Sequence, residues 1–279
     1  MSTERQNISL WKAHGLGNDY LVWESSVGVL NAERVKTICH RHTGVGSDGI
    51  LEPHATSRAD YGLKIWNPDG SVAEKSGNGL RIYAWWLYKH KNASRSFTMD
   101  TGNSVVKAWI LGPELVKIDM GPPTFDSKMI PAVQELWGVP YLEWNIYAVG
   151  MGNPHCVVLF EHEDLDELPW RSWGSQLELD ERFPSRTNVQ FVRRLSSSRF
   201  ELRIWERGAG ETSASGSSSC AAFAVLRRLG LIEDEAVAQM PGGELNLSFE
   251  HGTIFLSGSV CEVGRMQLSF GMTEKIMSI

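Results

Sequence analysis

Apolar and polar residues alternate in short runs along much of the chain, a pattern typical of β-strands. These runs cover residues 20–23, 63–66, 104–110, 115–120, 156–160, 201–205, 245–249 and 253–256. Three longer stretches, residues 31–40, 80–90 and 219–229, are helix-like. The pattern therefore predicts a β-rich chain of mixed α+β class.

The order of these elements occurs twice. A Gly-x-Gly-Asn turn at residues 15–18 and again at 150–153 precedes a predicted strand. Later in each half, a charged turn leads after nine residues to a Ser-Gly pair, from Asn67 to Ser76 and from Glu206 to Ser215. A helix-like run follows each pair. A repeat in fixed order over such distances predicts two similar domains related by pseudo-symmetry.

The repeat and the alternation together predict how the domains are built. Each should be a curved, mostly antiparallel β-sheet wrapped around one central α-helix. We expect residues 1–120 with 265–279 to form the N-terminal domain and residues 121–264 the C-terminal domain. The proline-containing stretch 121–140 has little periodicity and is predicted to be the crossing between the halves.

Composition narrows the class of protein. With 42% hydrophobic and 22% charged residues, the chain is typical of a soluble globular protein. The net charge of −6 argues against nonspecific nucleic-acid binding, which requires a basic face. The polar N-terminus lacks a signal peptide, and no apolar run approaches the ~20 residues that cross a bilayer. We therefore predict a cytoplasmic protein without membrane association. The four cysteines lack CxxC spacing, which favours reduced thiols over zinc ligands.

The two Ser-Gly pairs are candidate binding positions for one ligand. A helix N-terminus carries unpaired N–H groups and partial positive charge, so it binds anions. Glycine allows a ligand close to the backbone. Neither pair belongs to a P-loop or to a dinucleotide fingerprint. The alternative is two ordinary helix caps, because serine is a preferred cap residue. Because the pairs occur twice, each with a polar motif upstream, we favour a ligand-binding site over two ordinary caps.

Several motifs resemble those of the diaminopimelate epimerase family, which are cofactor-independent amino-acid racemases. The resemblance runs nearly end to end and rests on residues 14–19, 41–49, 67–71, 77–81, 151–155, 186–188, 206–212, 241–243 and 257–258. It implies an active site in the cleft between the two domains, a homodimer, and no pyridoxal phosphate or metal. In the family, two cysteines on opposite faces of the substrate exchange the α-proton.

The resemblance also implies roles for particular residues. The distal carboxylate of the substrate would be held by Asn67, Asn153, Asn188 and Arg207. Glu206 would lie near the distal ammonium, and Asn18 would contact substrate. The reacting carboxylate would lie at Gly77, Asn78, Gly216 and Ser217. His155 and Glu206 would lie beside the catalytic groups. Each residue also has a plain structural alternative, such as a turn for the asparagines or a surface ion pair for Arg207. Asp48, Asp69 and Glu211 are interpreted as loop-shaping residues.

The chain departs from the family pattern where the two catalytic cysteines are expected, because Ser76 and Ser215 stand there. A cysteine thiol, with an ordinary pKa of about 8.5, forms a thiolate far more readily than a serine hydroxyl ionises. Either both cysteines were replaced by engineering, or this is a natural Ser/Ser branch. Ser218, where glycine is usual, and the unusual Lys75 favour a natural branch.

Three functions remain open at this point. The chain is predicted to be an isomerase that inverts the α-carbon of LL- or meso-diaminopimelate, or of a similar amino acid, in lysine biosynthesis. Alternatively, it isomerises another small amino or carboxylic acid, with His155 or Glu206 assisting Ser215. The third possibility is a protein that binds such a ligand without turnover.

Overall fold

The computed structural model describes residues 7–25 and 28–279. Its strands are β1 (Ser9–Gly15), β2 (Asn18–Trp23), β3 (Ile50–His54), β4 (Tyr61–Trp66), β5 (Ser96–Asp100), β6 (Val105–Gly112), β7 (Leu115–Gly121), β8 (Trp137–Tyr141), β9 (Trp144–Gly150), β10 (Pro154–Phe160), β11 (Asn188–Ser196), β12 (Arg199–Glu206), β13 (Gly210–Thr212), β14 (Glu235–Met240), β15 (Gly243–Glu250), β16 (Thr253–Ser259) and β17 (Cys261–Gln267). Its helices are α1 (Ala32–Cys39), α2 (Gly77–Lys91), α3 (Trp170–Glu178), α4 (Gly216–Arg228) and α5 (Phe270–Met277).

The chain divides into two compact units. The first unit comprises Met1–Val116 with Ser259–Ile279, and the second comprises Lys117–Gly258. The limits expected from the sequence, after residues 120 and 264, lie a few residues further along the chain than these divisions.

Both units repeat one order of elements. In the first unit, the hairpin β1–β2 is followed by α1, β3 parallel to β2, β4 antiparallel to β3, and then α2. In the second unit, the hairpin β9–β10 is followed by α3, β11 parallel to β10, β12 antiparallel to β11, and then α4. After α2 and after α4, a parallel strand and an antiparallel strand complete the repeat, namely β5 and β6, or β14 and β15.

A buried helix lies at the centre of each unit. In α2 every residue from Gly77 to Leu87 is buried, and in α4 every residue from Gly216 to Leu226 is buried. A helix that is apolar on all sides requires packing on all sides, which a curved sheet provides. The prediction of mostly antiparallel sheets around central helices is confirmed in each unit.

Several elements differ from the expectations. The alternation did not indicate strands β1, β3, β5, β9, β11, β13, β14 and β17. Helices α3 and α5, which are short, were not predicted. Residues 137–140, expected to belong to the crossing of little periodicity between the halves, begin strand β8, which pairs with β9. Strand β8 covers a core cluster of the second unit that also contains Trp170 of α3. The expectation for 137–140 is therefore wrong, since alternate residues of this strand pack inward.

Candidate active site

The first Ser-Gly pair forms the N-terminal end of α2. Ser76 caps this helix from extended backbone, and its Oγ accepts a hydrogen bond from the Gly79 N–H at 3.0 Å. The Tyr20 hydroxyl lies 3.0 Å from the same oxygen. The predicted helix start is confirmed, and Ser76 carries two polar contacts on one atom.

Asn18 and Asn78 meet beside this helix end. Asn78 Nδ2 donates to Asn18 Oδ1 at 3.0 Å, and Asn18 Nδ2 donates to Asp48 Oδ2 at 2.9 Å. Arg81, which is fully buried, donates from Nη2 to Asn78 Oδ1 at 2.7 Å and from Nη1 to the Gly77 carbonyl at 3.2 Å. A buried guanidinium at the start of the second turn adds positive charge near a helix end that already favours anions. Sequence reasoning assigned no role to Arg81.

Asn18 contacts Asp48, which belongs to a network of charged residues with Arg41, Asp19 and Lys12. Burial raises the pKa of Asp48 above its ordinary value, although the Asp19 backbone N–H donates to its carboxylate and opposes this shift. Burial also acts to raise the pKa of Asp19, but hydrogen bonds from Lys12 and Arg41 outweigh it and lower that pKa. The interpretation of Asp48 as a loop-shaping residue is consistent with these contacts. Asp48 also orients Asn18.

Asn67 lies in a tight turn after β4. Its Nδ2 donates to Ser71 Oγ at 3.0 Å, and its carbonyl accepts from the Gly70 N–H at 3.0 Å. Asp69 accepts from the backbone and side chain of Ser71 in the same turn. Within residues 7–25 and 28–279, the hydrogen bonds described for Asn67 do not connect it to Asn18, Asn78 or Ser76. Its predicted contact with substrate stays a prediction.

The second Ser-Gly pair forms the N-terminal end of α4. Ser215 is buried and has extended backbone, and its side chain makes no capping hydrogen bond to α4. Its carbonyl accepts from the N–H and the hydroxyl of Ser219, at 3.1 and 2.8 Å. Gly216 and Ser217, both predicted to hold the reacting carboxylate, are the first two residues of this helix. The two serines therefore occupy corresponding positions with different hydrogen bonding.

His155 belongs to a buried polar group behind α4. Its Nε2 lies 2.8 Å from Asn153 Oδ1, and because a carboxamide oxygen only accepts, this contact assigns the proton of the neutral imidazole to Nε2. Gln190 Nε2 donates to Ser218 Oγ at 3.1 Å. His155, Gln190 and Ser218 are all fully buried. Burial lowers the pKa of His155 to about 3, an effect that Gln190 opposes and the charge of Arg207 reinforces. His155 is therefore neutral near pH 7.

Asn188 lies between other residues that the sequence assigned to the site, next to His155 on one side and Arg207 on the other. It is the pairing partner of His155 across β10 and β11. Its Nδ2 donates to the Pro154 carbonyl at 2.9 Å, and its Oδ1 accepts from the backbone N–H of Arg207 at 3.0 Å. The structure thus brings Asn153, His155, Asn188 and Arg207 together, although they are distant in sequence. Glu206 is the last residue of β12 and precedes Arg207 directly.

Glu178 supports the turn that carries Glu206 and Arg207. Its carboxylate accepts from the Gly208 N–H at 2.7 Å and from the Trp205 indole N–H at 2.7 Å, and it pairs with Arg186. Glu178 is 5% exposed. It ends α3, the helix that the sequence did not predict, so its role was missed. Glu211, interpreted as loop-shaping, instead forms an ion pair with Arg171 at 2.6 Å.

The described residues contain neither a cluster of metal-ligating side chains nor a helix suited to a membrane. Within residues 7–25 and 28–279, no group of three or more His, Cys, Asp or Glu side chains is arranged to hold a metal ion. Over the same residues, no helix has both the length and the apolar character needed to cross a membrane.

Comparison with known proteins places this geometry in context. The sequence model of the family described as diaminopimelate epimerase matches residues 10–126 and 147–261. Diaminopimelate epimerase 2 of a Nostoc species is 39% identical over 275 residues, covering 94% of this chain and 96% of the relative. Diaminopimelate epimerase of Prochlorococcus marinus is 36% identical over 273 residues, covering 88% of each chain. A solved structure of a probable proline racemase from Agrobacterium radiobacter has a TM-score of 0.71 at 15% identity, covering 94% of this chain and 93% of that one, and this likeness concerns the fold alone.

Proposed function

The chain belongs to the diaminopimelate epimerase family, and from this membership we propose that it binds LL- or meso-diaminopimelate and inverts the α-carbon without a cofactor. The observation that carries the proposal is that each unit places a Ser-Gly pair at the N-terminal end of its buried central helix. Two such ends are suited to hold one carboxylate and to stabilise negative charge that develops at the adjacent carbon.

The distal end of the substrate is assigned to the group around Asn188. Asn153, Asn188 and Arg207 lie together, and the planar guanidinium of Arg207 suits a carboxylate. Asn67 is proposed to join them, and Glu206 to receive the distal ammonium. This arrangement would select an amino acid with a second charged end. Asn18, Gly77 and Asn78 are assigned to the reacting end in the first unit, and Gly216 and Ser217 in the second.

Acid/base chemistry is assigned to positions 76 and 215. In a two-base inversion, one group removes the α-proton while the other returns a proton to the opposite face. A serine hydroxyl is a weak base unless a neighbouring general base takes its proton. His155 is neutral and so has the protonation state that a base requires, but its hydrogen bond runs to Asn153. We therefore expect slow turnover in the Ser/Ser chain and faster turnover with cysteines.

The decisive experiment measures loss of the substrate α-proton in deuterated water by ¹H NMR. We expect the Ser76→Cys/Ser215→Cys variant to exchange diaminopimelate at least about 100-fold faster than the parent, the range of a well-placed general base. Ser198→Cys, which adds a thiol at an exposed turn, serves as the control and should leave the rate unchanged. Absence of exchange in both the parent and the double variant would contradict the proposal.

A second function is favoured by the serines themselves. If the serine hydroxyl at position 76 or 215 is itself the acid/base group, the α-proton of the substrate must be more acidic than that of diaminopimelate. The chain would then isomerise another small amino or carboxylic acid. Screening such acids for deuterium incorporation separates the two. Calorimetric binding of diaminopimelate with no exchange of any compound would instead support a binding protein.

Assembly and location complete the proposal. We propose a homodimer, as the family resemblance implies, and we propose from the sequence pattern that it acts in the cytoplasm. Light scattering of the purified protein tests the first part, because a dimer would have about twice the chain mass of 31.2 kDa. A monomeric mass at micromolar concentration would contradict it.

A further inference from the structure

We propose that Tyr20 is a positioning residue for the acid/base group at position 76, and that its hydroxyl donates a hydrogen bond to that group when the group is ionised. This inference rests on the proposed function, in which position 76 exchanges the α-proton. It follows from the 3.0 Å contact between the Tyr20 hydroxyl and Ser76 Oγ.

Two polar groups, one of them the Tyr20 hydroxyl, contact one side-chain atom, Ser76 Oγ. The Gly79 N–H already donates to Ser76 Oγ at 3.0 Å, so this oxygen accepts one hydrogen bond from the helix. An ionised side chain at position 76 has no proton left to give, and the contact with Tyr20 then requires the phenol to be the donor. Hydrogen bonds to an ionised acceptor are stronger than neutral ones and favour the charged form.

The corresponding serine of the second unit lacks this arrangement. Ser215 does not cap α4 through its side chain. The two acid/base positions therefore differ, because the Ser76 side chain holds a helix amide and contacts a phenol, whereas the Ser215 side chain caps no amide of α4. This arrangement at position 76 is suited to negative charge on its side chain.

The strand β2 fixes the phenol in place. Asn18 and Tyr20 are alternate residues of β2 and so lie on the same face of the strand. Asn18 contacts Asn78, and Tyr20 contacts Ser76, both at the start of α2.

Packing leaves the ring little freedom. Tyr20 is 5% exposed. A methyl group placed on Gly49 would lie 2.7 Å from Tyr20 Cε1 and 2.3 Å from the Trp66 carbonyl oxygen. The backbone of Gly49 therefore lies directly against the ring, and the hydroxyl is held where Ser76 can use it.

Other charged groups near this helix end define the electrostatic background. Arg81 lies at the start of the second turn of α2, and Asp19 precedes Tyr20 in β2. Asp19 pairs with Lys12 and with Arg41, each at 2.8 Å, and Arg41 also pairs with Asp48 at 2.6 Å. Removing only the Tyr20 hydroxyl leaves these charges in place, so an effect of Tyr20→Phe on ionisation at position 76 belongs to the hydroxyl.

The test uses a thiol as the reporter of ionisation. Cys39, Cys156 and Cys220 are buried and Cys261 is exposed. The substitution Cys261→Ser therefore removes the exposed native thiol, so that alkylation reports mainly on the cysteine of Ser76→Cys. Alkylation of Cys at position 76 by iodoacetamide is followed by peptide mass spectrometry from pH 5 to 10. Since only the thiolate reacts, we expect Tyr20→Phe to move the midpoint to higher pH and to slow alkylation at pH 7 about tenfold.

Two further variants separate hydrogen bonding from structural damage. Tyr83→Phe is the matched control, because the Tyr83 hydroxyl donates to the Gly62 carbonyl at 2.9 Å in the same unit, away from position 76. It should leave the alkylation profile unchanged. Replacing Tyr20 by 2-fluorotyrosine, whose single fluorine lies meta to the hydroxyl, makes the hydroxyl a somewhat stronger donor that is still protonated where the thiol titrates, so the midpoint should move to lower pH. This variant also tests the inference should Tyr20→Phe fold poorly.

The outcomes distinguish this inference from the proposed function. Identical alkylation profiles for Tyr20, Phe and 2-fluorotyrosine would overturn the role of Tyr20, whether or not the Ser76→Cys/Ser215→Cys variant exchanges diaminopimelate. Shifted profiles without any exchange would support Tyr20 as the partner of position 76 and would count against the epimerase reaction. Shifted profiles with exchange that slows in Tyr20→Phe at unchanged KM would support both.

Discussion

The side-chain oxygen of Asn188 accepts a hydrogen bond from the backbone N–H of Arg207 across 3.0 Å. The same side chain donates to the Pro154 carbonyl at 2.9 Å. One buried carboxamide therefore connects the start of β11 with the start of β10 and with the turn after β12. The proposed distal clamp depends on this connection, because the side chain of Arg207 projects from the backbone that Asn188 holds.

Replacement of Asn188 by alanine should weaken ligand binding by about tenfold or more, since the Arg207 backbone loses the acceptor that positions the clamp and one hydrogen bond to a charged ligand group is worth about 1.5 to 3 kcal/mol. Calorimetric titration with diaminopimelate measures the loss. Asn246→Ala, at an exposed position of β15, is the matched control and should bind as the parent does. Equal affinities of the two variants would show that Asn188 does not position the clamp.

Glu178→Gln should lower both the melting temperature and the affinity for diaminopimelate. The carboxylate accepts from Gly208, Trp205 and Arg186 at once, whereas a carboxamide has a single accepting oxygen and no charge. Thermal unfolding and calorimetry give the two readouts. Glu163→Gln is the control, because Glu163 also accepts from an indole N–H, that of Trp144, and from two backbone N–H groups at 161 and 162. It should change stability but not affinity.

The buried histidine should make stability depend on pH. The pKa of His155 is lowered to about 3 in the folded chain, against about 6.5 in an unfolded one. Between these values the unfolded chain binds more protons, so the free energy of unfolding falls as the pH falls below about 6.5. At pH 5 the loss amounts to about 2 kcal/mol.

Urea unfolding at pH 7 and pH 5 measures this effect. The difference between the two pH values should be smaller by about 2 kcal/mol in His155→Gln than in the parent. His162→Gln, at a fully solvent-exposed histidine, should behave as the parent. An unchanged pH difference in His155→Gln would contradict the burial of an uncharged imidazole.

Ser218→Ala should destabilise the second unit by about 1 kcal/mol, because Gln190 loses the hydroxyl that accepts its N–H. Alanine is a better helix former than serine, so a net loss of stability reports the hydrogen bond and not the helix. A double variant, Ser218→Ala with Gln190→Leu, should recover part of the loss, since both polar groups are then removed. Additive losses in the double variant would show that the two side chains are not coupled.

The sequence predicted what depends on local pattern and on the repeat. Helices α2 and α4 follow from long apolar runs after Ser-Gly pairs, and the alternation predicted β2, β4, β6, β7, β10, β12, β15 and β16. Helix α3 was missed because residues 171–176 are mostly polar or glycine, and of its four buried residues, Trp170, Gly174, Leu177 and Glu178, only two are large and apolar. Its position was nevertheless implied by the repeat, since α1 occupies the same place in the first unit.

Contacts between distant residues could not be predicted in the same way. Glu178 lies 30 residues from Gly208, and Gln190 lies 28 residues from Ser218. Which side chains meet depends on strand register and on the position of α3, neither of which a single sequence specifies. The family resemblance identified the residues assigned to ligand, whereas the residues that hold them in place, such as Tyr20 and Glu178, came only from the geometry.

The hydrogen bond from Gly79 to Ser76 has a consequence for observing this protein at work. An amide proton held by a side chain exchanges slowly with solvent only while that side chain stays in place. If Ser76 turns towards a ligand, the Gly79 amide loses its acceptor, and its nuclear resonance should shift. The amide of Ser218, at the corresponding place in α4, has no such link to Ser215. A single glycine signal therefore provides a built-in spectroscopic indicator for one end of the reaction, readable without any turnover.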